Sequence, residues 1–168
     1  MLRAASFLDR DGVINIDKGY VHKIKDFEWI LGAKEAIKYL NQNNYFVIVV
    51  TNQSGIARNY YSENDVLRLH EYINNELYKI NAKIDDFYIS PYHPDIKNKY
   101  SHLANLRKPN TGMLENAERK WKFKKKDSFM IGDKESDIIC AKNFGIKGYK
   151  FTNGDLCNFV KQIVDTSN

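Results

Sequence analysis

The chain has 168 residues, 43% of them hydrophobic and 28% charged, and its 26 Lys and Arg against 21 Asp and Glu give a formal charge of +5. Those proportions exclude a disordered chain and suit one domain over 1–168 with a single well-buried core. The longest plain apolar run, Tyr45 to Val50, is far too short to span a bilayer, and the two cysteines, Cys140 and Cys157, cannot build a disulfide framework or a four-cysteine zinc site.

The expected elements alternate along the chain. A first strand covers Leu2 to Leu8 and runs straight into Asp9-Arg10-Asp11, so no signal peptide is expected. Ala33, Ala36, Ile37 and Leu40 share one helical face, and Tyr45 to Thr51 form a second strand. Ser62 followed by Asp65 resembles a capping box opening a second helix, whose face is Val66, Leu69, Ile73, Leu77 and Ile80. A third strand at Asp86 to Ser90 leads to a helix marked by Met113, Leu114, Ala117 and Trp121. A fourth strand, Ser128 to Ile131, precedes a helix marked by Ile138, Ile139 and Ala141. A short strand at Gly148 to Phe151 and a helix with Phe159, Val160 and Ile163 complete the pattern. Such alternation predicts an α/β fold with a central parallel sheet covered by helices on both faces. Two connections, Asp9 to Leu31 and Pro91 to Asn110, are too long to be mere links and too short to fold as a separate cap.

The charge excess is local. Glu118 to Asp127 holds six basic and two acidic residues, a net of +4, which leaves +1 for the rest of the chain. A solvated helix end accounts for this better than a nucleic-acid face, and the loops lack the aromatic-basic interleaving that stacks bases. No nucleic-acid or membrane partner is expected.

The polar residues fall at strand ends. The first strand ends in Asp9-Arg10-Asp11-Gly12, the second in Thr51-Asn52-Gln53-Ser54-Gly55, and the fourth in Gly132-Asp133 with Asp137 one turn on; Arg107-Lys108 closes the second long loop. A parallel sheet gathers all of these at one edge, where ligands bind in such folds. Crowded carboxylates call for a cation, and an oxygen-only donor set points to Mg²⁺. With a lysine and a hydroxyl beside it, such a crevice suits a phosphate: one aspartate can attack phosphorus, and an acid two residues on can protonate the leaving alcohol. Each element alone has a plainer reading. Asp-x-Asp-Gly also occurs in turns and calcium loops, Thr51 would be a strand-end cap, Lys108 a surface lysine and Asp133 a helix cap. Their ordered occurrence at strand and loop ends favours the chemical reading.

These motifs, Asp9-x-Asp11-Gly12, Thr51, Lys108 and Gly132-Asp133-x-x-x-Asp137, resemble those of the haloacid dehalogenase superfamily of phosphohydrolases. The segments Phe7 to Asn15, Gly19 to His22, Thr51 to Arg58, Pro91-x-His93-Pro94, Arg107-Lys108-Pro109 and Gly132-Asp133-Lys134 are more closely similar to its heptose-bisphosphate and histidinol-phosphate phosphatases. The resemblance implies a three-layer, Rossmann-like, capless fold. It implies Asp9 as nucleophile and Asp11 as general acid and base. Mg²⁺ would be held by Asp9, the Asp11 backbone carbonyl and Asp133, and the phosphoryl group by Thr51 and Lys108. Asp17, Lys18, Gly19, Tyr20, Asn52, Gln53, Ser54, Arg107 and Lys134 would contact a sugar bisphosphate, and Asp137 would orient Lys108 or the metal's surroundings. Many relatives bind a structural zinc in the second long loop through Cys-x-His and Cys-x-Cys. Here those positions are Ser90, Tyr92, Ala104 and Leu106, so no zinc is expected, and packing through Tyr92, Tyr100 and Leu106 is expected to hold the loop instead. His22 and His70 read as structural or surface residues.

The expected activity is therefore Mg²⁺-dependent removal of the C7 phosphate of a heptose 1,7-bisphosphate by a cytoplasmic, monomeric enzyme. Histidinol phosphate is the alternative substrate. A nucleic-acid 3′-end phosphatase or a non-catalytic phosphosugar-binding module is the alternative of another class.

Overall fold

A computed structural model describes residues 2–166. Five parallel strands form one sheet in the order β3-β2-β1-β4-β5: β1 is Ala5–Leu8, β2 Phe46–Asn52, β3 Asp86–Ser90, β4 Phe129–Gly132 and β5 Lys147–Lys150. Helices α1 (Ala33–Gln42), α2 (Glu63–Tyr78), α3 (Gly112–Trp121), α4 (Glu135–Phe144) and α5 (Leu156–Asp165) alternate with them. The expected strands are all present: β3 has the expected bounds, and the others differ by at most three residues at either end.

The three layers follow from the period of two in each strand. Leu8, Val47, Val49, Phe129 and Ile131 face α1, α2 and α5, whereas Ala5, Phe7, Ile48, Val50 and Met130 face α3 and α4. All ten are buried, which is why these strands read as near-continuous apolar runs. Each such Leu, Ile, Val or Phe side chain contributes about 1.5–3 kcal/mol on burial.

Local signals set the helix ends. Ser62 Oγ accepts from Asp65 N at 3.2 Å and Asp65 Oδ2 accepts from Ser62 N at 2.8 Å, the reciprocal box that starts α2. Asp155 caps α5 by accepting from Asn158 N at 3.0 Å. Two readings change. Ile80 lies past the end of α2, and α4 buries Asp137, Cys140, Ala141 and Phe144 while Ile139 is exposed. A charged residue occupies a core-facing position of α4, so counting apolar residues rotates that helix wrongly.

Both long connections are ordered. In the first, Ile16 N donates to Glu28 O and Ile30 N to Ile14 O, and a short 3₁₀ turn spans Ile24–Asp26. In the second, a 3₁₀ segment covers Ser101–Leu106. Asn98 Nδ2 donates to Ala57 O at 3.0 Å, Tyr100 Oη to Glu63 at 2.8 Å, and Arg58 lies 2.8 Å from His93. Tyr100 and Leu106 pack on apolar clusters as expected, whereas Tyr92 contributes its carbonyl, which accepts from Arg107. At the positions named in the zinc expectation, Ser90 is buried and the Ala104 carbonyl accepts from Arg107 N.

Candidate active site

The sheet order reverses between β1 and β4, and that switch point is where a crevice opens beyond the strand ends. Asp9 leaves β1 there and Asp133 leaves β4. Gly12 lets the two approach: its φ is +89°, and a Cβ on it would lie 2.4 Å from Asp133 Oδ2. Gly132 does the same for Asp137, whose Cβ would lie 2.1 Å from a Cβ at that position. Carboxylate oxygens of Asp9, Asp133 and Asp137 all lie within 4.8 Å of one another.

Lys108 arrives from the other side, at the end of the second long loop. Asn52 clasps its backbone, accepting from Lys108 N at 3.1 Å and donating to Lys108 O at 3.2 Å. The buried ammonium lies 3.0 Å from Asp9 Oδ1, 2.7 Å from Asp137 Oδ1 and 2.9 Å from the Val50 carbonyl. All three of its N–H groups are thereby engaged. Burial alone would lower its pKa, but Asp9 and Asp137 more than reverse this and raise it. Asp137 also accepts from Lys134 N at 3.0 Å, fixing the first turn of α4 to the same carboxylate.

Electrostatics at the floor are those of crowded acids. Burial raises the Asp9 carboxyl to about 7, opposed by Lys108 and reinforced by Asp137 and Asp11. Asp133 is raised too, first by burial and then by Asp137, against the pull of Lys134. Asp133 Oδ1 is buried without a partner. An all-oxygen set with an unpartnered acceptor fits a hard divalent cation.

The Asp11 carboxylate is not part of this cluster. It accepts from Arg10 Nη2 at 3.0 Å through both oxygens, from Asn15 Nδ2 at 3.0 Å and from Gln53 Nε2 at 2.9 Å. Gln53 Nε2 also reaches Thr51 Oγ1 at 2.9 Å, and its Oε1 accepts from the Tyr61 hydroxyl at 2.7 Å. Burial pushes Tyr61 up to about 12.

A cleft of about 510 Å³ covers these groups. Of the expected residues, Asp9, Asp11, Asp17, Gly19, Tyr20, Thr51, Asn52, Gln53, Ser54, Arg107, Lys108, Lys134 and Asp137 line it. Three placements differ from expectation. Lys18 is exposed and pairs with Glu28 at 2.8 Å, away from the cleft, because the turn at Gly19 sends it outward. Gln53 is only 2% exposed with its amide engaged internally, and Asn52 has its amide on the Lys108 backbone, so both position other groups. Sequence reasoning missed Arg10 and Asn15, which bond Asp11, and Tyr61, which bonds Gln53 and lines the cleft; His70, read as structural or surface, is buried beside Arg10. Only Arg10, a charge between two acids just past an apolar strand, carried a signal.

Comparisons with known proteins show the family and the fold. The family model described as polynucleotide kinase 3 phosphatase matches residues 5–159. The chain is 41% identical over 163 residues to the D-glycero-beta-D-manno-heptose-1,7-bisphosphate 7-phosphatase of Rhodopseudomonas palustris, covering 96% of this chain and 91% of that one. It is 44% identical over 148 residues to the D-glycero-alpha-D-manno-heptose-1,7-bisphosphate 7-phosphatase of Campylobacter jejuni, covering 87% and 80%. The fold matches that of D,D-heptose 1,7-bisphosphate phosphatase from B. bronchiseptica, solved with magnesium and phosphate, at a TM-score of 0.86 over 97% of this chain and 99% of that one, with 23% identity. With fold, motif order and relatives in agreement, the chain is a phosphatase of the haloacid dehalogenase superfamily and belongs to the family of the heptose-1,7-bisphosphate 7-phosphatases.

Proposed function

We propose that this phosphatase removes the C7 phosphate of D-glycero-D-manno-heptose 1,7-bisphosphate, with Asp9 as nucleophile and Asp11 as general acid and base. The observation that carries the chemistry is the convergence of Asp9, Asp133, Asp137 and Lys108 at the ends of β1 and β4. Asp9, Asp133 and the Asp11 carbonyl would hold Mg²⁺, and the relative from B. bronchiseptica was solved with that ion. When bound, the ion supplies positive charge that keeps Asp9 ionised and neutralises phosphoryl oxygens.

A carboxylate oxygen of Asp9 attacks phosphorus, the bond from phosphorus to the sugar oxygen breaks, and that oxygen takes the proton of the Asp11 carboxyl. Water then attacks the aspartyl phosphate while Asp11 accepts its proton, releasing orthophosphate and regenerating Asp9. Thr51 and Lys108 hold the transferring group. Because the ammonium is already engaged three ways, a phosphoryl oxygen replaces one of its partners.

The rim supports a bisphosphate. Arg107 lines the cleft, and burial followed by the nearby Arg58 lowers its pKa. Neither arginine has a carboxylate partner among the described residues, an arrangement that a second phosphate relieves and that the ammonium of histidinol phosphate would aggravate. Relatives named for both anomers match, so both are offered as substrates.

The family description brings a polynucleotide 3′ end into consideration. Against it, the basic stretch lies at the opposite edge of the sheet, where Lys120 and Trp121 bond Asp86 at the start of β3 and Lys124 N bonds the Arg3 carbonyl. We further propose that the enzyme is a cytoplasmic monomer of one domain without zinc, and that its product enters nucleotide-heptose synthesis for a surface glycan. Among the described residues no helix is long and apolar enough to cross a membrane. Phosphate release from both heptose bisphosphate anomers should exceed release from histidinol phosphate and from a 3′-phosphorylated oligonucleotide. Faster turnover of either comparator would replace this reading. Turnover should stop with chelator and return with Mg²⁺, and elemental analysis should find no stoichiometric zinc.

A further inference from the structure

Arg10 has no part in the steps above, yet its side chain is wholly buried. A guanidinium so placed is costly unless it is paired and hydrogen-bonded. Its anionic partner is Asp11, reached through both carboxylate oxygens by Nη2. The same nitrogen donates to the Val21 carbonyl, and Nη1 lies 3.4 Å from His70 Nε2. Nε has no partner, so every contact of the guanidinium is made by its two terminal nitrogens.

His70 is the far anchor. It belongs to α2, is 4% exposed and stacks on Phe87 with ring centroids 4.2 Å apart. Burial first, and Arg10 second, hold its pKa well below the usual histidine range. A neutral ring offers Nε2 as an acceptor for the Arg10 N–H. The guanidinium is thus fixed by a helix on one side and by the Val21 carbonyl on another. That carbonyl belongs to the segment whose Asp17, Gly19 and Tyr20 line the cleft.

We infer that Arg10, braced by His70, is a positioning residue that holds the Asp11 carboxyl in the orientation for proton transfer and ties it to the substrate-facing segment 17–22. This rests on the acid–base role of Asp11 and reaches beyond it to a residue on α2 that touches neither substrate nor reacting atoms. The two terminal nitrogens of a planar guanidinium reach His70 on one side and Asp11 with the Val21 carbonyl on the other; a lysine ammonium has a single nitrogen and cannot span both.

The test exploits the leaving group. A sugar alkoxide needs a proton to depart, whereas p-nitrophenolate does not. The single-turnover rate of leaving-group release, which reports formation of the aspartyl phosphate and not its shared hydrolysis by Asp11-activated water, is measured with the heptose bisphosphate and with p-nitrophenyl phosphate for wild type, Asp11→Asn, Arg10→Lys, His70→Leu and His70→Gln, with melting temperatures and circular dichroism confirming folding. His70→Leu and Arg10→Lys should lower this rate on the sugar ester roughly 10- to 10²-fold while the rate on the aryl ester falls less than about threefold, the pattern of a misplaced acid. His70→Gln, which keeps an acceptor for Arg10, should restore most of the sugar-ester rate. Equal loss on both esters in folded His70→Leu would make the role merely structural and overturn the inference. So would no loss on either. If Asp11→Asn itself failed to discriminate between the esters, the acid role would fall first and the inference with it. If Asp11→Asn discriminates and His70→Leu does not, the inference alone fails.

Discussion

The floor and the rim of the cleft are built on opposite terms. On the floor, Asp9, Lys108, Asp137, Gln53 and Thr51 are buried, with Lys108 bonded to Asp9 and Asp137 and Gln53 to Thr51. At the rim, Tyr20 is 45% exposed, Arg107 lacks an acidic partner among the described residues, and Lys134 reaches Asp17 only at 3.3 Å. In the proposed mechanism, the groups that meet the reacting phosphorus have their geometry fixed in advance by low-dielectric contacts. Those proposed to select what surrounds that phosphorus stay half-solvated and adaptable. Chemistry and selectivity are thereby separable, and mutations can show it.

The largest effect belongs to the floor. Asp9→Asn should abolish turnover with the fold intact, because an amide is a poor nucleophile; residual hydrolysis in a burst experiment would contradict covalent catalysis. Asp11→Asn should lower kcat by about 10²–10⁴-fold, and a loss under tenfold would assign the proton to another group. Lys108→Ala acts on both counts. It should cut kcat and also destabilise by about 3–5 kcal/mol, since it leaves Asp9 and Asp137 facing each other, though protonation of Asp9 softens this. Urea denaturation showing wild-type stability would remove that lysine from the fold's supports.

Rim substitutions should look different. Arg107→Ala should raise KM for the bisphosphate by roughly tenfold, with kcat little changed and no change in KM for a monophosphate, the usual value of one charge-assisted contact. A fall in kcat instead would merge rim with floor. The smallest effect is a pH dependence. His70 is held below its ordinary value of 6.5, so the unfolded chain takes up a proton that the folded one refuses as pH falls past that value. Stability from the neutral ring is complete above about 6.5 and is lost below it. Wild type should therefore lose melting temperature relative to His70→Gln between pH 7.5 and 5, and parallel curves would mean the ring is protonated in place.

How much of this the sequence could show divides along the same line. The strands were legible because both faces of the sheet are covered, so each is an apolar run that ends where polar residues begin. Asp9, Thr51, Lys108 and Asp133 were legible because a parallel sheet sends every strand end to one edge. The face of α4 was not, because Asp137 occupies a core-facing position and a charge has no place in an apolar count. The orientations of Lys18, which pairs with Glu28, and of Gln53, whose amide turns to Asp11 and Thr51, were not legible for a related reason. Position in a motif says which segment borders the cleft, but the rotamer of one side chain decides whether it faces a ligand, solvent or a neighbouring amide. Arg10 stands between two acids in the chain, and nothing in its neighbours announces His70 from sixty residues away.

The clasp of Asn52 on Lys108 has a consequence for how this molecule can change. A side-chain amide that both gives and receives imitates one more peptide unit at the tip of β2, so Lys108, near the end of the second long connection, is docked almost as if it continued the sheet. The placement of the ammonium is settled at that docking point and not by the path the chain takes to reach it. The intervening segment is accordingly free to change its sequence or to lengthen without disturbing the placement of the ammonium at its end.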